Sequence, residues 1–290
     1  SDRKFEYMIS NPPFGQSWKK EETFIKNESL DPGGRFSSGL PRVSDGAMLF
    51  IQHLVHKMET KGSRIGIVFN GSPMFTGDAG SGESEIRKWI IQNDWLETIL
   101  SLPTNMFFNT SIPTYIWIVT NKKKTNRKGK IQLINGNDFY QSVNRNLGSK
   151  NRVINDDQIS KILDVYLKYE ENKISKIFKN EYFGYSRVQI EQPLKDGDVI
   201  KKDKFGNPKP DPKLRDHEII PLDESINKYF EKEVRPHLPE SWIDESKTII
   251  GYQISFNKEF YKFKPLRTTS QILDEIKTLE VEIKEEIKNL

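Results

Sequence analysis

Apolar and polar positions alternate in blocks over the first 120 residues. A short apolar run, Tyr7–Met8–Ile9, stops at Ser10 and Asn11 and is followed by two prolines, which predicts a strand over 5–9 closed by a turn. Ala47, Ile51, Leu54, Val55 and Met58 recur at helical intervals and predict a helix over 45–61. RIGIVF, residues 64–69, is a continuous apolar run of the kind a parallel sheet buries on both faces. A helix over 83–92, a strand over 96–100 and a strand over 113–120 (PTYIWIVT) follow. No helical pattern joins the last two strands, which predicts an antiparallel hairpin at the edge of an otherwise parallel sheet. The class is α/β.

Past residue 120 the pattern changes. KIQLING reads as a strand, and residues 145–175 carry helical spacing. Residues 191–215 are rich in Pro, Gly, Lys and Asp and read as a flexible insertion. From Thr269 to Leu290 the apolar positions Ile272, Ile276, Leu279, Ile283, Ile287 and Leu290 are spaced four, three, four, four and three. That is nearly a heptad seam, and an isolated amphipathic helix is marginal in water, so the seam calls for a partner or for packing on its own domain. Three segments result: 1–145, an extension over 146–268, and a terminal amphipathic helix over 269–290.

Composition narrows the chemistry. The 290 residues hold 45 basic and 41 acidic side chains, a net charge of +4, which permits a nucleic-acid partner without demanding one. With no cysteine, a disulfide framework, thiol catalysis and cysteine-ligated metal are excluded. No apolar run approaches the roughly eighteen residues of a membrane span and no signal-peptide pattern opens the chain, so a cytoplasmic location is expected. Ser1–Asp2–Arg3 leads directly into a strand without an initiator methionine, which reads as a piece of a longer protein.

Asn11–Pro12–Pro13–Phe14 is the chief candidate site. It has an ordinary reading as a strand-ending turn. It also lies where open α/β sheets bind ligands, beyond the carboxyl end of a strand. An exocyclic amine such as adenine's is a poor nucleophile because its lone pair is delocalised into the ring. Two acceptors, the Asn11 side-chain oxygen and the Pro12 carbonyl, aimed at its hydrogens pull the nitrogen toward tetrahedral geometry. The prolines hold those acceptors rigid, and Phe14 offers a face for a flipped base, worth roughly 1–3 kcal/mol.

NPPF after a short apolar strand resembles the catalytic motif of S-adenosylmethionine-dependent amino-methyltransferases. With DGAMLFIQHLVHKM, RIGIVFNGSPMF, GESEIRKWII, NDWLETILSLPTNMFFNTSIPTYIWIV and GYQISFNKEFYKFKPLRTTSQILDEI in that order, the chain resembles the modification (M) subunit of type I restriction–modification systems. The resemblance implies N6-adenine methylation in double-stranded DNA by a Rossmann-like methyltransferase. Residues 1–145 would be the C-terminal half of its catalytic domain. It maps catalysis onto Asn11, Pro12, Pro13 and Phe14 and a second base-side aromatic onto Phe108. Asp45 and Phe50 fall near the cofactor-side pocket, although a helix cap and a core phenylalanine explain them as well.

The resemblance departs at the cofactor loop, since no glycine-bearing loop precedes Asn11. Gly77–Asp78–Ala79–Gly80–Ser81–Gly82 has the wrong spacing for one and reads as a turn into a helix, capped by Ser81 or Ser84. Weak or absent binding of S-adenosylmethionine by this chain alone follows. His53 and His56, three apart, read as a helix-surface pair rather than metal ligands, and no metal is expected. Lys122, Lys123, Lys124, Arg127 and Lys128 form a basic cluster that is either a solvated hairpin tip or a DNA-backbone contact. The resemblance places the terminal helix against the specificity (S) subunit, with a restriction (R) subunit as a further partner. The other readings are a non-catalytic assembly module and a protein glutamine methyltransferase, whose amide nitrogen poses the same problem.

Overall fold

A computed structural model describes residues 3–108, 110–261 and 268–288. The chain divides into two compact units, 1–256 and 257–290.

The first unit opens with β1 (Tyr7–Ser10), α1 (Glu22–Ser29), α2 (Ala47–His56), β2 (Arg64–Asn70), the single turn α3 (Ser72–Phe75) and α4 (Gly82–Gln92). Strands β3 (Leu96–Leu102), β4 (Thr114–Thr120) and β5 (Lys130–Asn135) follow, then a hairpin of β6 (Gln141–Leu147) and β7 (Lys150–Val153). Helix α5 (Asp156–Lys168) leads to β8 (Ser175–Lys179). Six of these strands form one sheet in the order β1-β2-β4-β3-β5-β8. β1 is parallel to β2, β4 is antiparallel to both β2 and β3, β3 is parallel to β5, and β8 is antiparallel to β5. Strands β1, β2, β3 and β5 therefore point the same way, and their carboxyl ends share one end of the sheet.

Two sequence expectations change here. The β3–β4 hairpin is antiparallel, but it is not the edge, because β5 and β8 extend the sheet beyond it. β2 is not buried on both faces: Ile65, Ile67 and Phe69 are fully buried while Arg64, Gly66 and Val68 are only half-buried. Helix α2 packs on β2 and α4 packs on α2, so these helices cover the Ile65–Phe69 face. The opposite face is covered farther along the sheet, where Ile162 of α5 packs with Leu100, Leu102 and Ile134. All seven residues of β3 are buried accordingly. At the other edge, β1 presents Tyr7 and Ile9 to solvent, Ile9 at 93% exposure.

A buried polar network fixes α5 to the sheet. Glu97 on β3, 1% exposed, accepts from the Tyr166 hydroxyl at 2.8 Å and from Arg64 at 2.5 Å. Arg127 lies 3.7 Å from the same carboxylate and stacks over the rings of Tyr166 and Tyr169. Burial and the Glu97 carboxylate push the Tyr166 hydroxyl up to about 12, so it donates at all ordinary pH. The helical spacing over 145–175 resolves into the end of the β6–β7 hairpin followed by α5, whose N-terminus has a reciprocal cap between Asn155 and Gln158.

The rest of the first unit is a second sheet. β9 (Gly184–Glu191) is flanked by β12 (Asp216–Pro221) and β13 (Trp242–Tyr252), with the pair β10 (Lys195–Asp196) and β11 (Val199–Ile200) inserted and the short helix α6 (Ile226–Tyr229) before β13. Residues 191–215, expected to be flexible, are instead folded on themselves. Leu194 and Lys209, Lys201 and Leu194, and Asp211 and Gln192 are joined by backbone hydrogen bonds of 2.7–2.9 Å. One oxygen of Asp203 caps the tip by accepting from the Phe205 and Asn207 amides. Arg215 and Glu191 close the base at 2.8 Å. The Asp, Gly and Pro content that suggests disorder is also the content of tight turns.

The second unit contains most of α7 (Phe256–Phe260) and α8 (Thr269–Lys288). Thr268 and Gln271 cap α8 reciprocally. The seam residues Ile272, Ile276, Leu279, Ile283 and Ile287 are all exposed, and Leu290 lies outside the described residues.

Candidate active site at the carboxyl end of the sheet

Ser10, the last residue of β1, pairs with Ile67 of β2, so Asn11–Pro12–Pro13–Phe14 emerges at the carboxyl end of two parallel strands. Pro12 is buried, Phe14 half-buried, and Asn11 and Pro13 exposed. Neither the Asn11 carboxamide nor the Pro12 carbonyl is used in a hydrogen bond among the described residues. Gly15 follows with φ +64°, a left-handed conformation that turns the chain back.

What fixes this turn is Trp18, which the sequence reading did not single out. Its amide donates to the Val43 carbonyl at 3.1 Å and its indole Nε1 to the Arg42 carbonyl at 2.9 Å, while Gly46 N–H donates to the Gln16 carbonyl at 2.9 Å. Its ring is buried with Ile25, Phe36 and Leu49. The four-residue turn is thus held by β1 on one side and by an anchored segment on the other.

Asp45 sits where the loop before α2 meets the loop after β2. It is buried; Oδ1 accepts from the Ala47 amide at 3.2 Å, and Oδ2 accepts from Ser72 Oγ at 3.3 Å and Arg42 Nη2 at 3.4 Å. Ser72 Oγ also meets Arg42 Nη2 at 3.1 Å and Thr76 at 2.9 Å. Both Asp45 oxygens are therefore committed, one to the first amide of α2 and the other to joining the start of α3 and Arg42. Phe50, 40% exposed, lines a cavity of about 650 Å³ with Trp18, Leu49, Phe36, Gln16 and Lys20. The glycines of 77–82 serve the turn into α4: Ser81 accepts from the Ser84 amide. Gly82 packs so closely on the Leu40 backbone that a Cβ would meet its carbonyl oxygen at 1.7 Å.

Phe108 lies on the loop between β3 and β4, at the same end of the sheet, with 60% exposure. β1 and β3 are three strand spacings apart, roughly 14 Å. The structure thus brings NPPF, Asp45, Phe50 and Phe108 to one end, with the Lys150 ammonium 4.9 Å from the Phe108 ring centroid.

The basic cluster is elsewhere. It follows β4, which runs opposite to β1, and therefore lies at the amino end of β2, where Thr120 pairs with Arg64. Two of its five members are internal. Lys123 contacts Asp94 Oδ1 at 2.6 Å and the Lys130 carbonyl at 2.7 Å, and Arg127 is buried beside Glu97. Burial works to raise the Asp94 carboxyl, but hydrogen bonds from Lys123, the Gly129 amide and Asn180 outweigh it and hold the pKa below its usual value. Lys123 and Arg127 are therefore structural cations, not surface contacts for DNA, and Lys122, Lys124 and Lys128 alone are exposed.

His53 and His56 lie on α2. Arg35 Nη1 is 3.0 Å from His53 Nδ1, and burial together with that guanidinium lowers the His53 pKa. Among the described residues no three His, Cys, Asp or Glu side chains are grouped as metal ligands, and no helix is long and apolar enough to cross a membrane.

The model of the N-6 DNA Methylase family matches residues 1–194. The type I restriction enzyme MjaIX methylase subunit of Methanocaldococcus jannaschii is 27% identical over 210 residues, covering 70% of this chain and 35% of that protein. The HindI methylase subunit of Haemophilus influenzae is 32% identical over 168 residues, covering 56% and 33%. The crystal structure of a type I restriction-modification methyltransferase subunit from Streptococcus thermophilus aligns with a TM-score of 0.52 at 28% identity, covering 61% of this chain and 35% of that one. The chain spans about a third of the length of these relatives. With a family match over two thirds of its length and NPPF at the carboxyl end of β1, the chain belongs to the N-6 DNA methylase family.

Proposed function

We propose that this chain supplies the base side of an adenine-N6 DNA methyltransferase, as part of the modification subunit of a type I restriction–modification system acting in the cytoplasm. The observation that carries the reading is the pair of uncommitted acceptors, Asn11 Oδ1 and the Pro12 carbonyl, on an anchored turn in a chain of this family. Adenine's N6 carries two hydrogens and a delocalised lone pair. Accepting both hydrogens frees that lone pair for attack, and because β1 and Trp18 already hold the turn, little reorganisation accompanies the reaction. Phe14 stacks on the base, which must leave the duplex to reach it. Phe108 supplies a second aromatic surface.

S-adenosylmethionine is the methyl donor of this chemistry. The described residues do not compose a site for it: both Asp45 oxygens are engaged, and in the glycine turn at 77–82 Gly82 packs on the Leu40 backbone and Gly77 on Ser81. They supply the acceptor side, and the chain alone binds the donor weakly or not at all. The exposed α8 seam suits association with a specificity subunit, which reads the DNA sequence, and a restriction subunit completes the system.

The deciding experiment measures methyl transfer by the intact protein with its specificity subunit. Unmethylated DNA and a glutamine-bearing protein are offered in parallel. Transfer to adenine N6 supports the reading; transfer to glutamine, or to neither, removes it.

A further inference from the structure

We propose that the β6–β7 hairpin, not the 122–130 cluster, carries the phosphate contacts that hold the target strand over NPPF. The inference rests on the DNA-methylating function above and adds to it the surface that grips the substrate.

Residues 141–153, QSVNRNLGSKNRV, contain Arg145, Lys150 and Arg152 and no acidic residue. Two independent connections put this ribbon at the catalytic end of the sheet. It begins shortly after the carboxyl end of β5, which runs parallel to β3. Its second strand is also tied to the loop after β3: the Asn151 and Arg152 amides both donate to the Asn105 carbonyl, at 3.1 and 3.3 Å, and Arg152 Nη1 donates to Thr104 Oγ1 at 3.0 Å. Asn105 holds a left-handed φ of +61° at this junction.

The positive charges of Lys150 and Arg152 have no carboxylate opposite them among the described residues, although Arg152 also donates to Thr104. Arg152 stacks 3.9 Å from the Tyr140 ring centroid and Lys150 lies over Phe108, so aromatic faces orient both cations. Neither forms an ion pair with a carboxylate among the described residues. Lys123 and Arg127 do, and their loop leaves the opposite end of the sheet, a strand length of roughly 20 Å from NPPF. A phosphate held by Lys150 would sit beside the ring that the resemblance assigns to the base, so one loop would grip the backbone and the nucleotide it flips.

The test is the salt dependence of DNA binding by the intact methyltransferase. Each lost phosphate contact lowers the slope of log K against log salt by about 0.9. The pair Lys150→Gln with Arg152→Gln is expected to lower it by about 2, Lys150→Arg to leave it intact, and Lys122→Gln with Lys124→Gln and Lys128→Gln to leave it unchanged. If Arg152→Gln lowers the melting temperature, Lys150→Gln alone carries the test, with a slope lower by about 1. A wild-type slope in the hairpin variants, or a loss confined to the triple-lysine variant, overturns the proposal while leaving the methyltransferase reading in place. Absence of DNA binding by the unmodified protein overturns both.

Discussion

Arg87 Nε on α4 donates to the Tyr252 carbonyl at 2.6 Å, joining residues 165 positions apart. Its remaining nitrogens donate to the carbonyls of Pro73, Thr76 and Gly77, and the side chain is 0% exposed. Burial pulls its pKa down to about 10, with Tyr185 and Glu83 acting the other way, so it is charged at neutral pH. One guanidinium thus ties the segment after β2, at the carboxyl end of the sheet, to the last residue of β13. Arg87→Met leaves four carbonyls without that donor, and each unsatisfied buried polar group costs about 1–3 kcal/mol. A loss of stability of at least about 3 kcal/mol is expected in denaturant unfolding of the chain. Arg87→Lys should recover only part of it, because one ammonium cannot reach four carbonyls.

Why some of this was legible in the sequence and some was not has physical reasons. The NPPF turn could be read because a strand of four residues ended by two prolines leaves few alternatives. Trp18 could not, because the groups that fix it, Arg42 and Val43, lie more than twenty residues away and no periodicity announces such a pairing. The 122–130 cluster was open to two readings, a solvated hairpin tip or a DNA-backbone contact, and neither accounts for the buried Lys123 and Arg127. Asp94 and Glu97, which neutralise Lys123 and Arg127, are about thirty residues away in sequence, so the pattern of charges could not show that those two are internal. Residues 191–215 show that composition alone does not separate disorder from a ribbon of tight turns.

Asn11→Ala removes one of the two proposed acceptors without touching the anchor at Trp18. In the intact methyltransferase it is expected to lower kcat by about 10²–10³-fold, the cost of losing one preorganised group at the reacting atoms. DNA affinity should change little. Phe14→Ala removes the proposed stacking face and is expected to weaken base binding by roughly 1–3 kcal/mol. Single-turnover methylation with a DNA binding assay separates the two effects. A variant lacking Asn11 that methylates at the normal rate would exclude the acceptor role.

The contact between Arg35 Nη1 and His53 Nδ1 requires a neutral imidazole that accepts. Burial and the neighbouring guanidinium lower the His53 pKa, and burial and Lys4 lower that of His56. With folded pKa values below the unfolded one, the folded state binds fewer protons, so stability falls as pH drops below about 6.5 and continues to fall through the folded pKa. His53→Gln keeps an acceptor without the titration and should flatten this dependence. Urea midpoints between pH 7.5 and 5 measure it, and an unchanged slope in the variant would remove His53 from the account.

In α8, Ile276 and Ile283 lie one heptad apart, on a helix exposed throughout from Thr268 to Ile287. The helix carries six acidic residues and three lysines between Thr269 and Lys288, so a second copy in register would oppose like charges, whereas a partner with basic flanks would not. Each isoleucine buried in an interface contributes roughly 1.5–3 kcal/mol. Ile276→Asp with Ile283→Asp is therefore expected to weaken the proposed association with a specificity subunit by more than about 100-fold. The α/β unit, residues 1–256, should keep its own unfolding transition, since the substitutions lie in the other compact unit. Titration of labelled specificity subunit, paired with circular dichroism, gives both readouts. Undiminished association would place that interface elsewhere on the chain.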